Sequence, residues 1–410
     1  MRSVAFPICL FLNVMLFGMC GYMYLLWLQY WHRIWNQKQQ ESEYDVSDFH
    51  RNEVVMEYYD DSSIFATSHH KTQTKNEKEK KPILSFLHKD KYSGKMAAIR
   101  LNMLKTKTVA KLRQVLFEES NNMDPKISNP YGVQSKEFKL NHDDLMCDLY
   151  SKLKMVRTIR KSDISGPIRN VIPEEEFFSN NTYFNNCVIV SSAGSLYRSN
   201  LGQFIDDNDL VLRFNNAPVV GYEKDVGSKT TIRILNSQIL SKPQFQFLNS
   251  NLYRNVSLLM WDPSNYSSTL QQWITNPEYN FLESYIKYRT KYPKNDFHIL
   301  DPSILWLLWD FIQGHTSIKI KQNPPSSGFL GIAFLLPYCS TVNVVEYIPT
   351  QRTTQRCHYY SKKSDPLCTY GVWHPLAAEK LIALAMNRAS DKTIFYDGYI
   401  SIPGYNRISC

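Results

Sequence analysis

The sequence predicts an α/β fold, a sheet of short strands alternating with helices and covered on both faces. Three observations predict it. Short runs rich in β-branched and aromatic residues recur along the chain as strand candidates: CVIVSS, LVLRFN, KTTIRILN, SLLMWD, DFHIL and VNVVEYI. Helical stretches such as ILWLLWDFIQ and GFLGIAFLLPYC lie between several of them. A chain of 410 residues with 43% hydrophobic content supplies enough apolar surface for a sizeable core. In such sheets, ligands sit beyond the carboxyl ends of the strands.

The amino end reads differently. No charge interrupts residues 4–31, VAFPICLFLNVMLFGMCGYMYLLWLQYW. About 20 apolar residues span a bilayer as a helix, so this run is long enough for a signal anchor. A cleaved signal peptide is the rival reading, but its apolar region is shorter. Tyr22, Tyr24, Trp27, Tyr30, Trp31 and Trp35 crowd the downstream end, as aromatic residues do at a membrane interface. Residues 1–3 are then a cytoplasmic tail and the body is luminal.

Residues 32–140 read as a luminal stem. KTQTKNEKEKKP is a lysine-rich, low-complexity run that cannot bury enough apolar surface to order itself. Apolar periodicity returns through Leu101, Leu104, Val109, Leu112 and Leu116, which predicts a helix over about 95–119 that belongs to the stem or leans on the body. The body spans 141–410.

Six cysteines lie beyond the apolar run: Cys147, Cys187, Cys339, Cys357, Cys368 and Cys410. An even number in a luminal domain reads as disulfides, with the pairing open. Zinc is the rival reading, although no CxxC pair occurs. Asn180, Asn255 and Asn265 begin N-glycosylation sequons. The formal charge of +9 is divided between the first 140 residues and the rest. Nucleic acid is the generic partner of a basic protein, but a luminal chain rarely meets it. A mildly basic body suits a small anionic substrate.

Chemistry enters at two turns. In CVIVSSAGSLYRSNLGQFID a strand candidate ends at Ser191 and Ser192, small residues follow, and Leu196, Leu201, Phe204 and Ile205 suggest a helical face. A helix start presents unpaired N–H groups and partial positive charge, which together bind phosphate. An ordinary serine N-cap is the competing reading. NPPSSGFLGIAFLLPYC repeats the pattern with Ser326, Ser327 and Gly328. Two serine-capped starts can hold one phosphodiester between them, and a Cys187–Cys339 bond would tie them together. There is no GxGxxG or GxxxxGK[ST], so neither a dinucleotide fold nor a P-loop is supported.

Asn215 and Asn236 follow strand-like runs and offer donor and acceptor to a base or ribose, or serve turn chemistry. Asp207-Asn208-Asp209 matches a DxD metal pattern but follows a helical stretch, which favours a loop or capping role. His374 precedes Pro375 and a helix. A helix start lowers a histidine's proton affinity and favours a neutral general base, while a capping or core role is the alternative. His142, His298, His315 and His358 are less well placed rivals. No GxSxG or HExxH occurs, which argues against the hydrolases those motifs mark.

At these residues the chain resembles the galactoside alpha-2,6-sialyltransferases of the eukaryotic Golgi. CVIVSSAGSLYRSNLGQFIDDNDLVLRFNNAP through DVGSKTTIRILNSQ resembles the family's long motif, NPPSSGFLGIAFLLPYC the short one, CHYY the third, and WHPLAAEK the very short one. The resemblance implies a single catalytic domain with a modified Rossmann-like, GT-A-like nucleotide-sugar fold. It implies transfer of sialic acid from CMP-sialic acid to the 6-hydroxyl of terminal galactose, or of N-acetylgalactosamine, on glycoprotein glycans. The reaction would invert in one displacement without a metal or other cofactor. Ser192, Asn215, Asn236, Ser326, Ser327, Gly328, Cys357, His358, Thr369, Trp373 and Lys380 would contact the donor. Gln238, Glu278 and Tyr279 would face the acceptor, and His374 would be the base. The implied disulfides are Cys147–Cys410, Cys187–Cys339 and Cys357–Cys368. A Golgi membrane location of type II topology follows, with a homodimer as one partner reading. Trp373 stands where well-known vertebrate members carry tyrosine, His358 where some of them do, Glu278 where they carry aspartate, and Asn216 where they carry glycine. The rival class is a catalytically inactive luminal protein that keeps the nucleotide-sugar pocket.

Overall fold

A computed structural model describes residues 94–122, 133 and 142–410, apart from 180, 366 and 372. These residues fall in one compact unit, Lys89–Cys410. The predicted tail, the apolar run 4–31, most of the stem and Asn180 lie outside them. Among the described residues no helix is long and apolar enough to cross a membrane.

In chain order the helices are α1 Lys95–Asn121, α2 His142–Lys152, α3 Gly202–Asp206, α4 Glu223–Val226, α5 Gln238–Ser241, α6 Leu270–Thr275, α7 Leu282–Lys291, α8 Ser303–Gly314, α9 Ser327–Leu335, α10 Leu367–Tyr370 and α11 Leu376–Ala385. The strands are β1 Phe184–Val190, β2 Leu210–Phe214, β3 Ile232–Asn236, β4 Ser257–Trp261, β5 Phe297–Ile299, β6 Cys339–Val345 and β7 Tyr399–Pro403. All six strand candidates form strands. The strand that the sequence reading missed is β7, a short edge strand.

The sheet order is β5-β4-β3-β2-β1-β6-β7, parallel except for the β6–β7 pair. β2 is buried along its whole length, as expected for a parallel strand covered on both faces. Alternation along β1 sends Cys187 and Ile189 into one core, with Phe311, Ile332 and Phe334. Val188 and Val190 enter another, with Leu196 and Ile205. α8 buries Leu305, Leu308, Trp309, Phe311 and Ile312 almost completely. Each such side chain contributes roughly 1.5–3 kcal/mol.

β1 is the switch point. The chain steps outward from β1 to β5 and then returns to add β6 on the other side of β1. Val190 pairs with Val345, so the two strands end together and open a crevice at residues 191 and 346. Ligands bind at this place in open α/β sheets. A disulfide joins Cys187 to Cys339, tying β1 to β6, and others join Cys147 to Cys410 and Cys357 to Cys368. These are the pairs that the resemblance implies, and among the described residues no cysteine is left for zinc.

The helix expected in the stem forms as α1. Its Leu112 and Leu116 enter the main core, and Glu119 meets Lys321 at 2.7 Å, so it leans on the body.

The first serine turn departs from expectation. No α-helix begins there: Gly194–Leu196 is a single 3-10 turn, and α3 starts only at Gly202. Arg198 and Asn200 adopt left-handed backbone, with φ 64 and 56. The Asp225 carboxylate holds that shape by accepting their N–H groups at 2.7 and 3.0 Å. The Asp207–Asp209 pattern lies in the loop between α3 and β2. Asp209 accepts the N–H groups of Asn185 and Asn186 at 3.0 and 2.9 Å, and Asp207 accepts from Gln203 at 2.6 Å.

Candidate active site

A cavity of about 200 Å³ fills the crevice between β1 and β6. Residues 191–195 form one wall, Glu346, Tyr347 and Pro349 another, and Arg356, Cys357, His358, Cys368, Thr369, Leu376 and Lys380 close it. The walls are fastened to each other. Ser191 Oγ donates to the Glu346 carbonyl at 3.2 Å. Ala193 bridges His358, and the Tyr359 N–H donates to the Ser192 carbonyl at 3.3 Å. Gly194 permits this approach: a Cβ there would stand 2.0 Å from the Arg356 carbonyl oxygen.

Lys380 is 6% exposed and donates to the Thr369 carbonyl. Burial lowers its pKa to about 8, against the opposing pull of Glu379 and Glu346. It is therefore protonated at neutral pH and faces a cavity suited to an anion.

The second serine turn is the helix start the sequence predicts. Ser326 caps α9 by accepting the Phe329 N–H at 3.3 Å. The turn does not line the cavity but lies behind Tyr347, whose ring a Cβ at Gly328 would approach to 2.8 Å. Glu379 is fully buried in α11. It accepts the Ser326 N–H at 2.7 Å, the Ser326 hydroxyl at 2.5 Å and the Tyr347 hydroxyl at 2.9 Å. The Ser326 donors are therefore already occupied by a carboxylate.

His374 stands just before α11, as expected. Its Nδ1 lies 2.7 Å from the Pro324 carbonyl oxygen. A carbonyl only accepts, so Nδ1 carries the proton and Nε2 of the neutral ring keeps a free lone pair. Burial holds the imidazole below its ordinary pKa and Lys321 adds to this, while Glu379 and the Pro324 bond oppose it. His374 meets Trp373 edge-on at 4.6 Å and lies 6.2 Å from Trp261. Trp261 donates to Ser327 Oγ at 2.9 Å, so base and second turn share one neighbour.

Asn215 and Asn236 meet at adjacent strand ends. Asn215 sits at φ 47 and its Oδ1 accepts the Asn236 N–H at 2.9 Å. Asn236 Oδ1 is buried with no hydrogen-bond partner from the protein. Gln238, Glu278 and Tyr279 gather nearby. Lys242 donates to Gln238 and lies 5.5 Å over the Tyr279 ring. Asp262 accepts the N–H groups of Glu278 and Tyr279. Asn255 and Asn265 are exposed.

Sequence reasoning missed Tyr347, Arg356, Glu379, Trp261, Asp262 and Lys242. The signal for Glu379 was two adjacent charges inside the otherwise apolar helix LAAEKLIALA. Among the described residues, the one group of side chains close enough to share an ion is Cys357, Asp365 and Cys368, and its sulfurs are bonded to each other.

The model of glycosyltransferase family 29 (sialyltransferase) matches residues 132–390. The zebrafish (Danio rerio) beta-galactoside alpha-2,6-sialyltransferase 2 is 48% identical over 224 residues, which are 55% of this chain and 44% of that protein. The rat (Rattus norvegicus) protein of that name is 41% identical over 293 residues, 69% of this chain and 55% of that protein. The human one is 41% identical over 290 residues, with the same coverage of both chains. The chain thus spans about half the length of these relatives. A solved mammalian sialyltransferase, in complex with Gal-beta-1-3GalNAc-ortho-nitrophenol, is 21% identical with a TM-score of 0.37, covering 66% of this chain and 91% of that one.

Proposed function

The chain belongs to glycosyltransferase family 29, the sialyltransferases, and from that premise we propose that it moves sialic acid from CMP-sialic acid to the 6-hydroxyl of a terminal galactose on glycoprotein glycans. N-acetylgalactosamine is the alternative acceptor. The observation that carries this reading is the His374 ring, locked with Nε2 deprotonated two residues before Leu376, which lines the switch-point crevice.

In the proposed step, the acceptor oxygen attacks the anomeric carbon of the sialic acid. The bond from that carbon to the CMP phosphate oxygen breaks, and the anomeric centre inverts. The hydroxyl proton passes to His374 Nε2. CMP leaves with its negative charge facing Lys380 and the hydroxyls of Ser192 and Ser195, so preorganised donors stabilise the leaving group. Asn215 and Asn236 hold the ribose or base. With the backbone at Cys357 and His358, Thr369 completes the donor site from the cavity wall; Ser326, whose donors Glu379 holds, stands with Ser327, Gly328 and Trp373 behind that wall rather than on it. Gln238, Glu278 and Tyr279 hold the galactose. Three disulfides and exposed sequon asparagines suit a luminal, oxidising compartment. With the apolar run 4–31 they support a type II anchor in the Golgi membrane, where a homodimer is the proposed assembly.

The test is transfer from CMP-sialic acid to a panel of galactose-ended and N-acetylgalactosamine-ended glycans, with linkage analysis of the product. A 2,6 linkage made equally well with excess chelator is expected. Activity lost to a chelator and restored by manganese would revive a metal role for Asp207 and Asp209. The pH dependence is a second expectation. Lys380 must be protonated to face the phosphate, so the donor KM should rise as pH climbs through about 8. A donor KM that stays flat to pH 9 would remove Lys380 from the donor site.

A further inference from the structure

We propose that Asp262 is the positioning residue of the acceptor subsite, fixing the backbone of Glu278 and Tyr279 and so setting how tightly the glycan is held without touching the donor. The inference rests on the functional reading above.

Asp262 follows the last residue of β4 and is 1% exposed. Its Oδ2 accepts the Trp273 indole N–H at 2.9 Å and the Glu278 N–H at 3.0 Å, and its Oδ1 accepts the Tyr279 N–H at 3.3 Å. The groups that face it are the Ser237 hydroxyl, the Trp273 indole and those two backbone N–H groups, none of them charged. Burial raises its pKa to about 6 despite these hydrogen bonds. A buried carboxylate without a cation is costly, and here three of its hydrogen bonds are spent on one loop and the helix before it.

Trp261, the neighbouring residue, reaches the other way. It donates to Ser327 Oγ and lies beside His374. One dipeptide at the end of β4 thus grips the base side with its indole and the acceptor loop with its carboxylate. The loop that Asp262 holds carries the Tyr279 ring under Lys242, which in turn holds Gln238. Loss of the carboxylate therefore shifts all three proposed galactose contacts and leaves the β1–β6 cavity alone.

The experiment compares wild type with Asp262→Asn in the full chain, measuring KM for a galactose-ended acceptor, KM for CMP-sialic acid, kcat and Tm. An acceptor KM raised about tenfold, with the donor KM within about twofold, is expected, since hydrogen bonds to a charged acceptor are the strong ones. An unchanged acceptor KM, or both KM values moving in step with Tm, would overturn the proposal. Should the Asn variant not fold, Glu278→Gln leaves Asp262 as the carboxylate titrating at the loop. In that variant the acceptor KM should rise as pH falls through about 6 while the donor KM stays level. A level acceptor KM overturns the proposal. Absence of transfer by the wild type overturns the functional reading and this inference together, whereas wild-type transfer with an indifferent variant overturns the inference alone.

Discussion

Replacing His374 with alanine is expected to lower transfer roughly 100- to 10,000-fold, the range that a positioned general base contributes, while CMP still binds. The separation follows from geometry. His374 does not line the β1–β6 cavity, and its ring contacts run to Pro324, Trp373 and Trp261. Its removal takes away the proton acceptor and leaves Lys380 and the serine turn in place. Two measurements check it: CMP release from CMP-sialic acid with acceptor present, and calorimetric titration with CMP. Wild-type transfer by the variant would show that another group takes the proton. Because burial holds the imidazole below its ordinary pKa, the acid limb of kcat should also lie lower than a free histidine would place it.

The largest loss of stability is expected from Glu379→Ala. Its carboxylate ends two chain segments at once, accepting from both donors of Ser326 and from the Tyr347 hydroxyl inside a fully buried site. Each buried donor left unsatisfied costs about 1–3 kcal/mol. Rotation of the hydroxyls recovers part of this, so about 3–5 kcal/mol should be lost, a fall in Tm of roughly 10 °C. Activity should fall too, because Glu379 is the clamp between α9, whose first residue Ser327 touches Trp261, and α11, which His374 precedes. A variant melting within 2 °C of wild type would show that the clamp is not needed.

Much of the sheet was legible because buried parallel strands are continuous runs of β-branched and aromatic residues. CVIVSS and LVLRFN announce themselves without any long-range information. β7 was not legible: YISIP is short, lies at the edge and ends in proline. The turn after β1 was misread because its left-handed residues answer to Asp225, well downstream, and nothing within residues 191–205 reports that carboxylate. The serine cap of α9 was legible, since Ser326 reaches only to Phe329, but its clamp was not, since Glu379 lies 53 residues on. Asp262 was hidden for a related reason. An aspartate after a strand reads as turn chemistry, and only the fold brings residues 278 and 279 onto it.

The central claim is that the crevice between β1 and β6 binds the nucleotide beside His374. A structure of the chain with CMP bound tests it most directly. The account predicts the phosphate in the cavity between residues 191–195 and Lys380, with ribose or base against Asn215 and Asn236. CMP seated anywhere else, or a crevice that stays empty at saturating CMP, would contradict it.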